Sequence, residues 1–480
     1  MTKKFYITTA IDYVNAKPHI GHAFEKTLAD AIARWHRLIG DKVWFLTGTD
    51  ENAQKNSLAA KEAKIPVKEF VDKNSKIFIE LCEKLNLSND DFIRTTEKRH
   101  VDVSKEIIKK AFEKGDIYKK NYEGLYCYGC EAYKTEKDLI DGKCPEHPNR
   151  AISVLKEEAY FFKLSKYKNQ IEKFVKDYIV PESRKNEILS RLKEDDLKDL
   201  CVTRKNSDWG IDFPLDKNFK VYVWFDALIN YISGSGEKHE FWPADLHIVG
   251  KGINWFHSVI WPAILLSANY KLPKKLLVHG YLNLQGQKIS KSLGNVIDPF
   301  VLVDKYGSDS VRYSLLRCSV FEDSDYSEEI LIKRNNELAD KLGNLVSRVS
   351  ALIEKYGFEK NPKWDIPFSI IKLQKDVEKH FENYETDKAL NEIFSFIDLL
   401  NGYVQSEKPW EIHEEDFKKA VLYNLALGIK TIAILLWSFI PSASEKIAKQ
   451  FGFEIKYENI AKPLKENKIK KGEILFQKII

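Results

Sequence analysis

Two imidazoles three residues apart, His19 and His22, stand in the stretch Tyr13-Val-Asn-Ala-Lys-Pro18-His-Ile-Gly-His22. At a helix start, beside unpaired backbone N–H groups, such a pair suits the phosphates of a nucleotide. Pro18 stiffens the turn, and Gly21 admits close approach of a ligand. Alone, the string also fits capping or packing. Far downstream, Lys288-Ile-Ser-Lys291-Ser-Leu-Gly-Asn295 reads as an exposed cationic loop, whose plain alternative is a solvated turn. A third group is Cys127, Cys130, Cys144 and His147: two ligands at a spacing of three, a spacer of 13, then two more at the same spacing. That is the knuckle geometry of a tetrahedral zinc, one per chain, and a filled Cys3His set leaves no open position, so its role is structural.

The elements that must position these groups follow from periodicity. Lys4 to Ile11 is rich in β-branched and aromatic residues, and from Phe24 apolar residues recur at helical spacing. Lys42 to Thr47 is a second apolar run, ending at Gly48-Thr-Asp50-Glu-Asn52. Strand, helix, strand predicts a βαβ unit with a parallel sheet, whose ligands bind beyond the carboxyl ends of the strands and so near Ile11, Tyr13 and Asp50. Asp50 is equally suited to capping the next helix. Helices are expected over Val67–Leu85 and Val101–Phe112, and a mostly helical, charged stretch over 151–200 with a possible strand at Glu158–Leu164. Sheet-like sequence returns at Val221–Asp226, Asp245–Gly250 and Lys275–Gly280, with a helix over Trp255–Ser267. Gly250 ends a strand where backbone must approach a ligand, or simply turns.

Composition sets the class. With 480 residues, 44% hydrophobic and 31% charged, the chain is expected to be soluble and to hold two to four domains. A net charge of +5 permits nucleic-acid binding without demanding it. The opening MTKKFYITTAI lacks the apolar run of a targeting peptide, so the cytoplasm is expected. Thr431–Ile440 is too short to span a bilayer and reads as a buried bundle helix, so no membrane association is expected.

The two loops, in this order, resemble the paired signatures of the class I aminoacyl-tRNA synthetases, usually written HIGH and KMSKS. The zinc knuckle, Tyr222-Val-Trp-Phe-Asp-Ala-Leu, Trp255-Phe-His-Ser-Val-Ile-Trp-Pro, Leu342-Gly-Asn-Leu-Val-Ser-Arg348 and Lys408-Pro-Trp410 narrow the likeness to the methionyl-specific family, from Phe5 to at least Trp410. Leucyl, isoleucyl and valyl enzymes share the signatures but carry an editing insertion for which this chain has no room. The resemblance implies a Rossmann-like parallel α/β sheet split by a zinc-knuckle insertion and followed by an all-α anticodon-binding bundle. The expected bounds are catalytic halves at 1–115 and 220–290, the insertion at 116–219, a stem-contact linker at 291–328 and the bundle at 329–480.

It implies activation of L-methionine by ATP with Mg2+, then transfer to the 3′ end of tRNA(Met). His19, His22, Lys288 and Lys291 would be catalytic, and Gly21, Gly250 and Ser290 would bind ATP. Ile11, Tyr13, Asp50, Trp224, Tyr231 and His257 would hold methionine, Asp50 taking the ammonium group. Asn344 and Arg348, one helical turn apart, and Trp410, at a helix start, would read the anticodon. No extra dimerising domain is seen, so a monomer is expected. Two positions depart from the family pattern: Asn52-Ala53 replaces a common His-Gly, and Gly252 replaces a common aspartate expected to hold the ATP ribose. These leave a non-catalytic tRNA-binding paralogue as the alternative, with a small-molecule adenylyltransferase third.

Overall fold

The computed structural model describes residues 2–479 apart from 129–131, 135, 146–147, 195, 206, 285, 289–296, 360–362, 364–365 and 465–468. Its centre is a parallel sheet of strands β1 (Lys4–Thr9), β2 (Lys42–Asp50), β3 (Asp91–Arg94), β4 (Leu246–Gly250) and β5 (Leu276–His279). Their spatial order is β3-β2-β1-β4-β5, with short pieces at Asp12–Tyr13 beside β2 and Ile179–Val180 beside β5. Phe5 to Thr9 are all buried, as expected for a parallel sheet covered on both faces. The chain goes from β1 to β2 on one side and returns to β4 on the other. The order therefore reverses between β1 and β4, which opens a crevice at the strands' carboxyl ends.

Helix α1 (Ile20–Leu38) joins β1 to β2 and is buried along almost its whole length, including Glu25, Lys26, Asp30 and Arg34. It lies between the sheet and the helical C-terminal region: Trp35 stacks on Phe381 with ring centres 4.3 Å apart. One apolar core runs from Phe5 and Ile7 through Leu28 and Ile32 to Val421 and Ile447. That region comprises helices Glu328–Glu337, Asn344–Tyr356, Ile370–Glu382, Thr386–Glu407, Glu415–Leu436 and Pro441–Phe451. Glu415–Leu436 is long and apolar enough to cross a membrane, yet 94% of its apolar window is buried inside the protein. The chain end returns to the first of these helices, where Asn335 donates to the Gln477 carbonyl (2.8 Å).

Between the two halves of the sheet, Ile117–Cys127 pairs antiparallel with Ile152–Phe162 over eleven residues, flanked by Ala132–Lys134 and Leu200–Cys201. Helices Lys168–Tyr178 and Glu182–Glu194 follow. Two sequence expectations are corrected here. The start of the stretch expected to be mostly helical is a long strand, Ile152–Phe162, held by its antiparallel pairing with Ile117–Cys127. The Val221–Asp226 segment is strand only at Lys220–Val221 and then turns into helix Val223–Ala227, a short buried apolar run whose period could not separate the two. Ile179–Val180, from within the expected insertion, adds an edge strand to the central sheet.

The two regions are joined by a buried charge node. Arg312 is fully buried; it contacts Asp30 of α1 at 2.7 Å and donates to the carbonyls of Phe439 (2.8 Å) and Leu85 (3.1 Å). Asp30 also takes Arg34 at 2.8 Å, and the two guanidinium groups hold its carboxyl below the usual range despite burial. Removing one partner of such a node strands the rest, so Arg312→Met is expected to cost about 3–5 kcal/mol in urea unfolding. Loss of the exposed Lys68–Asp72 pair in Lys68→Ala should leave the midpoint nearly unchanged.

Candidate active site

The crevice is built around the first turn of α1. His19 is the N-cap, in extended conformation (φ −126°, ψ 174°). Its Nδ1 accepts the Gly21 N–H at 3.1 Å, while His22 Nδ1 accepts the His19 N–H at 3.0 Å. This is a capping box written with two imidazoles. A ring nitrogen that accepts a backbone N–H carries no proton, so the neutral rings bear theirs on Nε2. The rings lie 3.8 Å apart and both offer N–H donors at a helix N-terminus whose first amides are already bonded, the Ile20 N–H to the Ile297 carbonyl at 3.1 Å and the Gly21 N–H to His19 Nδ1.

Behind them, Asp12 accepts a bond from the fully buried Lys26 at 2.5 Å and stands 3.8 Å from His22 Nε2. Glu25, one turn into α1, accepts the Ala10 N–H at the end of β1 and the His279 Nε2–H at the end of β5, both at 3.0 Å. One helix thus clamps two strand ends at the mouth. Sequence reasoning missed both carboxylates, since Asp12 and Glu25 look like ordinary polar positions of a loop and a helix.

Asp50 ends β2, buried and in register with Tyr13. Its neighbour Glu51 is fully buried and takes Arg94 at 2.6 and 3.0 Å, and the amide of Asn52 donates to Asp226 at 2.7 Å and to the Thr95 carbonyl at 3.1 Å. His100 Nε2 bonds the other Asp226 oxygen at 2.7 Å. At position 52 an amide N–H is thus sufficient to satisfy the buried carboxylate, and the departure there is absorbed.

Tyr13, Trp224, Tyr231 and His257 come together in one aromatic cluster. Tyr13 meets Trp224 edge-on at 6.4 Å, and Trp224 stacks on Phe256 at 3.7 Å. His257 Nδ1–H donates to the Ile253 carbonyl at 2.9 Å, which leaves Nε2 to accept the Tyr231 hydroxyl at 2.7 Å. Burial lowers the His257 pKa to about 4 and raises that of Tyr231, so both stay neutral. Phe256–Ile260 is a π-helical turn, a local widening common at functional sites. Ile11 stands apart, half-buried against Leu46, Ile93 and Phe241. Phe256 was not singled out, because a Phe beside a Trp in an apolar helix looks like core.

Gly250 ends β4 opposite His279. Ser290 and Lys291 lie outside the described residues, and Lys288 is described only as backbone of the strand Gln287–Lys288, which pairs with Leu282–Leu284. Cys127 and Cys144 are both buried at the far end of the long hairpin, while Cys130 and His147 lie outside the described residues. Asn344, exposed, and Arg348 share one face, and Arg348 donates to Asn401 at 3.2 Å. Trp410 is 42% exposed in the turn leaving the helix that carries Asn401; it does not start a helix.

Comparison with known proteins agrees with this architecture. The family of class I (M) tRNA synthetases matches residues 5–154 and 147–350, and the anticodon-binding domain of tRNA ligases matches 369–479. The methionine–tRNA ligase of Clostridium tetani is 42% identical over 99% of this chain and 79% of its own. That of Rickettsia felis is 42% identical over 94% of this chain and 93% of its own. The solved structure of Mycobacterium tuberculosis methionyl-tRNA synthetase with methionyl-adenylate superposes with a TM-score of 0.93 at 35% identity, covering 99% of this chain and all of that one. Capped histidines at a sheet crevice, an aromatic slot and a helical anticodon region thus meet full-length likeness, and the chain belongs to the class I methionine–tRNA ligases.

Proposed function

We propose that the crevice joins methionine to ATP through His19, His22, Lys288 and Lys291, with Asp50 holding the ammonium group and Tyr13, Trp224, Tyr231 and His257 the thioether side chain. The methionine carboxylate attacks the α-phosphorus, the bond to the bridging oxygen breaks, and pyrophosphate leaves with methionyl-adenylate as the other product. A hydroxyl of the terminal adenosine of tRNA(Met) then attacks the carbonyl of the mixed anhydride and releases AMP. No covalent enzyme intermediate is needed; the protein positions two anions and offsets charge developing on phosphate. The observation that carries this reading is the double cap. It fixes two imidazole Nε2–H donors beside the N-terminus of the helix that follows β1, and the buried carboxylate of Asp50 ends the adjacent strand β2.

Lys288 and Lys291 suit pyrophosphate as point charges on flexible stems, and Gly21, Gly250 and Ser290 let backbone and hydroxyl approach ATP. Aromatic rings favour a thioether, by about 0.3–1.5 kcal/mol for each sulfur contact. Ile11, expected at this pocket, packs instead with Leu46, Ile93 and Phe241. Mg2+ neutralises charge on the ATP phosphates when bound. Zinc would be held by Cys127, Cys130, Cys144 and His147: two buried thiols at the tip of a hairpin fit a structural ion that replaces a missing core. Asn344, Arg348 and Trp410 would meet the anticodon, Trp410 by stacking. The protein is read as a cytoplasmic monomer without membrane association.

The double cap separates two roles. Asparagine caps a helix as well as most residues but cannot reach as far, so His19→Asn should keep the thermal midpoint while lowering methionine-dependent ATP–pyrophosphate exchange about 10²–10³-fold. Retained exchange in that variant would remove His19 from the chemistry.

A pH dependence follows from His257, whose pKa falls from 6.5 to about 4 on burial. Between those values the unfolded chain binds the proton and the folded one does not. Stability is therefore full above 6.5 and declines as pH falls through that window, by about 3 kcal/mol for this residue. His257→Gln should flatten the decline in urea midpoints measured from pH 7 to 4, and should raise the KM for methionine about tenfold through loss of the Tyr231 partner.

A further inference from the structure

The space beside Gly252 is filled in the structure. That glycine sits in the 3-10 turn Lys251–Ile253 just past β4, and it is not among the glycines of positive φ, so its backbone suits any residue. A Cβ built on Gly252 would overlap the Tyr281 hydroxyl oxygen, so a side chain there requires the phenol to move aside. β4 and β5 pair with Gly250 opposite His279, which brings the two exits side by side and places the phenol where a residue-252 side chain would begin.

Tyr281 is held there from several directions. Its N–H donates to Asp323 at 2.9 Å, Lys251 bonds the same carboxylate at 2.7 and 2.8 Å, and the Lys251 ammonium lies 4.7 Å over the Tyr281 ring. A Cβ at Gly280 would overlap the backbone of Glu322, so the chain just before the tyrosine is pressed against this same segment. The hydroxyl group is therefore placed by packing.

We infer that the Tyr281 hydroxyl hydrogen-bonds a ribose hydroxyl of ATP, in place of a side chain at residue 252. The inference rests on the adenylation reading above. With phosphates at the N-terminus of α1 after β1, and methionine toward β2 and the Trp224 cluster, the nucleoside extends along the mouth past β4 and β5. Gly250, Gly252 and Tyr281 occupy that ground. A phenol supplies one donor and an acceptor where a carboxylate would supply two acceptors. Tyr281 is also the residue before Leu282–Leu284, the strand that leads into the lysine loop, so the contact would sit at that loop's base.

The test is exchange of labelled pyrophosphate into ATP, 2′-deoxy-ATP and 3′-deoxy-ATP, in the unaltered protein, Tyr281→Phe, Gly252→Ala and the double variant. Tyr281→Phe should raise the KM for ATP about three- to tenfold, the range of one neutral hydrogen bond, with the KM for methionine unchanged. The penalty should vanish for the deoxynucleotide that lacks the contacted hydroxyl. Gly252→Ala should displace the phenol and give the same signature, and should add nothing in the Tyr281→Phe background. An equal penalty on all three nucleotides, or none on any, overturns the ribose contact and leaves the adenylation reading standing. Absence of methionine-dependent exchange in the unaltered protein overturns both.

Discussion

Everything at the crevice depends on where two protons sit. Because His19 Nδ1 and His22 Nδ1 are both spent on backbone N–H groups, each neutral ring keeps its proton on Nε2. The helix start and the two Nε2–H donors are thus one device. A capping residue of another type would start the helix equally well but would put no N–H at that reach, and a histidine outside the cap would be free to choose either tautomer.

The same helix then carries that arrangement into the rest of the molecule. Less than two turns past the cap, Glu25 fixes the ends of β1 and β5; about three turns past it, Asp30 binds Arg312, and further on Trp35 stacks on Phe381. Arg312 reaches the loop of Ser438 and Phe439 that precedes helix Pro441–Phe451, and Asp309 accepts the Ala443 N–H at 2.6 Å. The catalytic crevice and the helical region are consequently packed onto opposite parts of a single buried helix. The orientation of the helix bearing Arg348, and of the turn bearing Trp410, relative to the crevice is held by buried charge as well as by apolar area, and buried charge tolerates little displacement.

The sequence was most legible where local pattern and burial agree. Lys4–Thr9 and Lys42–Asp50 are short runs rich in β-branched and aromatic residues, and they form the strands expected of them. Segments buried on all sides carry no period, which is why Val223–Ala227 read as strand and folded as helix. The paired loops pointed to a nucleotide, but the supporting groups lay beyond reach: Glu25 with His279 are 254 residues apart, and Asn52 with Asp226 are 174 apart. Long-range pairs leave no trace in spacing. Gly252 is the sharper case, since by itself it reads as a lost carboxylate, and only the position of Tyr281 shows what the space is used for. Trp410 was placed at a helix start because a proline precedes it, yet Lys408 takes a left-handed conformation and opens a turn there instead.

The most direct measurement is amino-acid-dependent exchange between ATP and pyrophosphate on the purified protein. Methionine is compared with leucine, isoleucine, valine and cysteine, with Lys291→Ala as control. Exchange supported by methionine alone and abolished in the control is the result expected of a crevice that positions methionine against ATP. Exchange with a branched aliphatic amino acid, or with none, would contradict it.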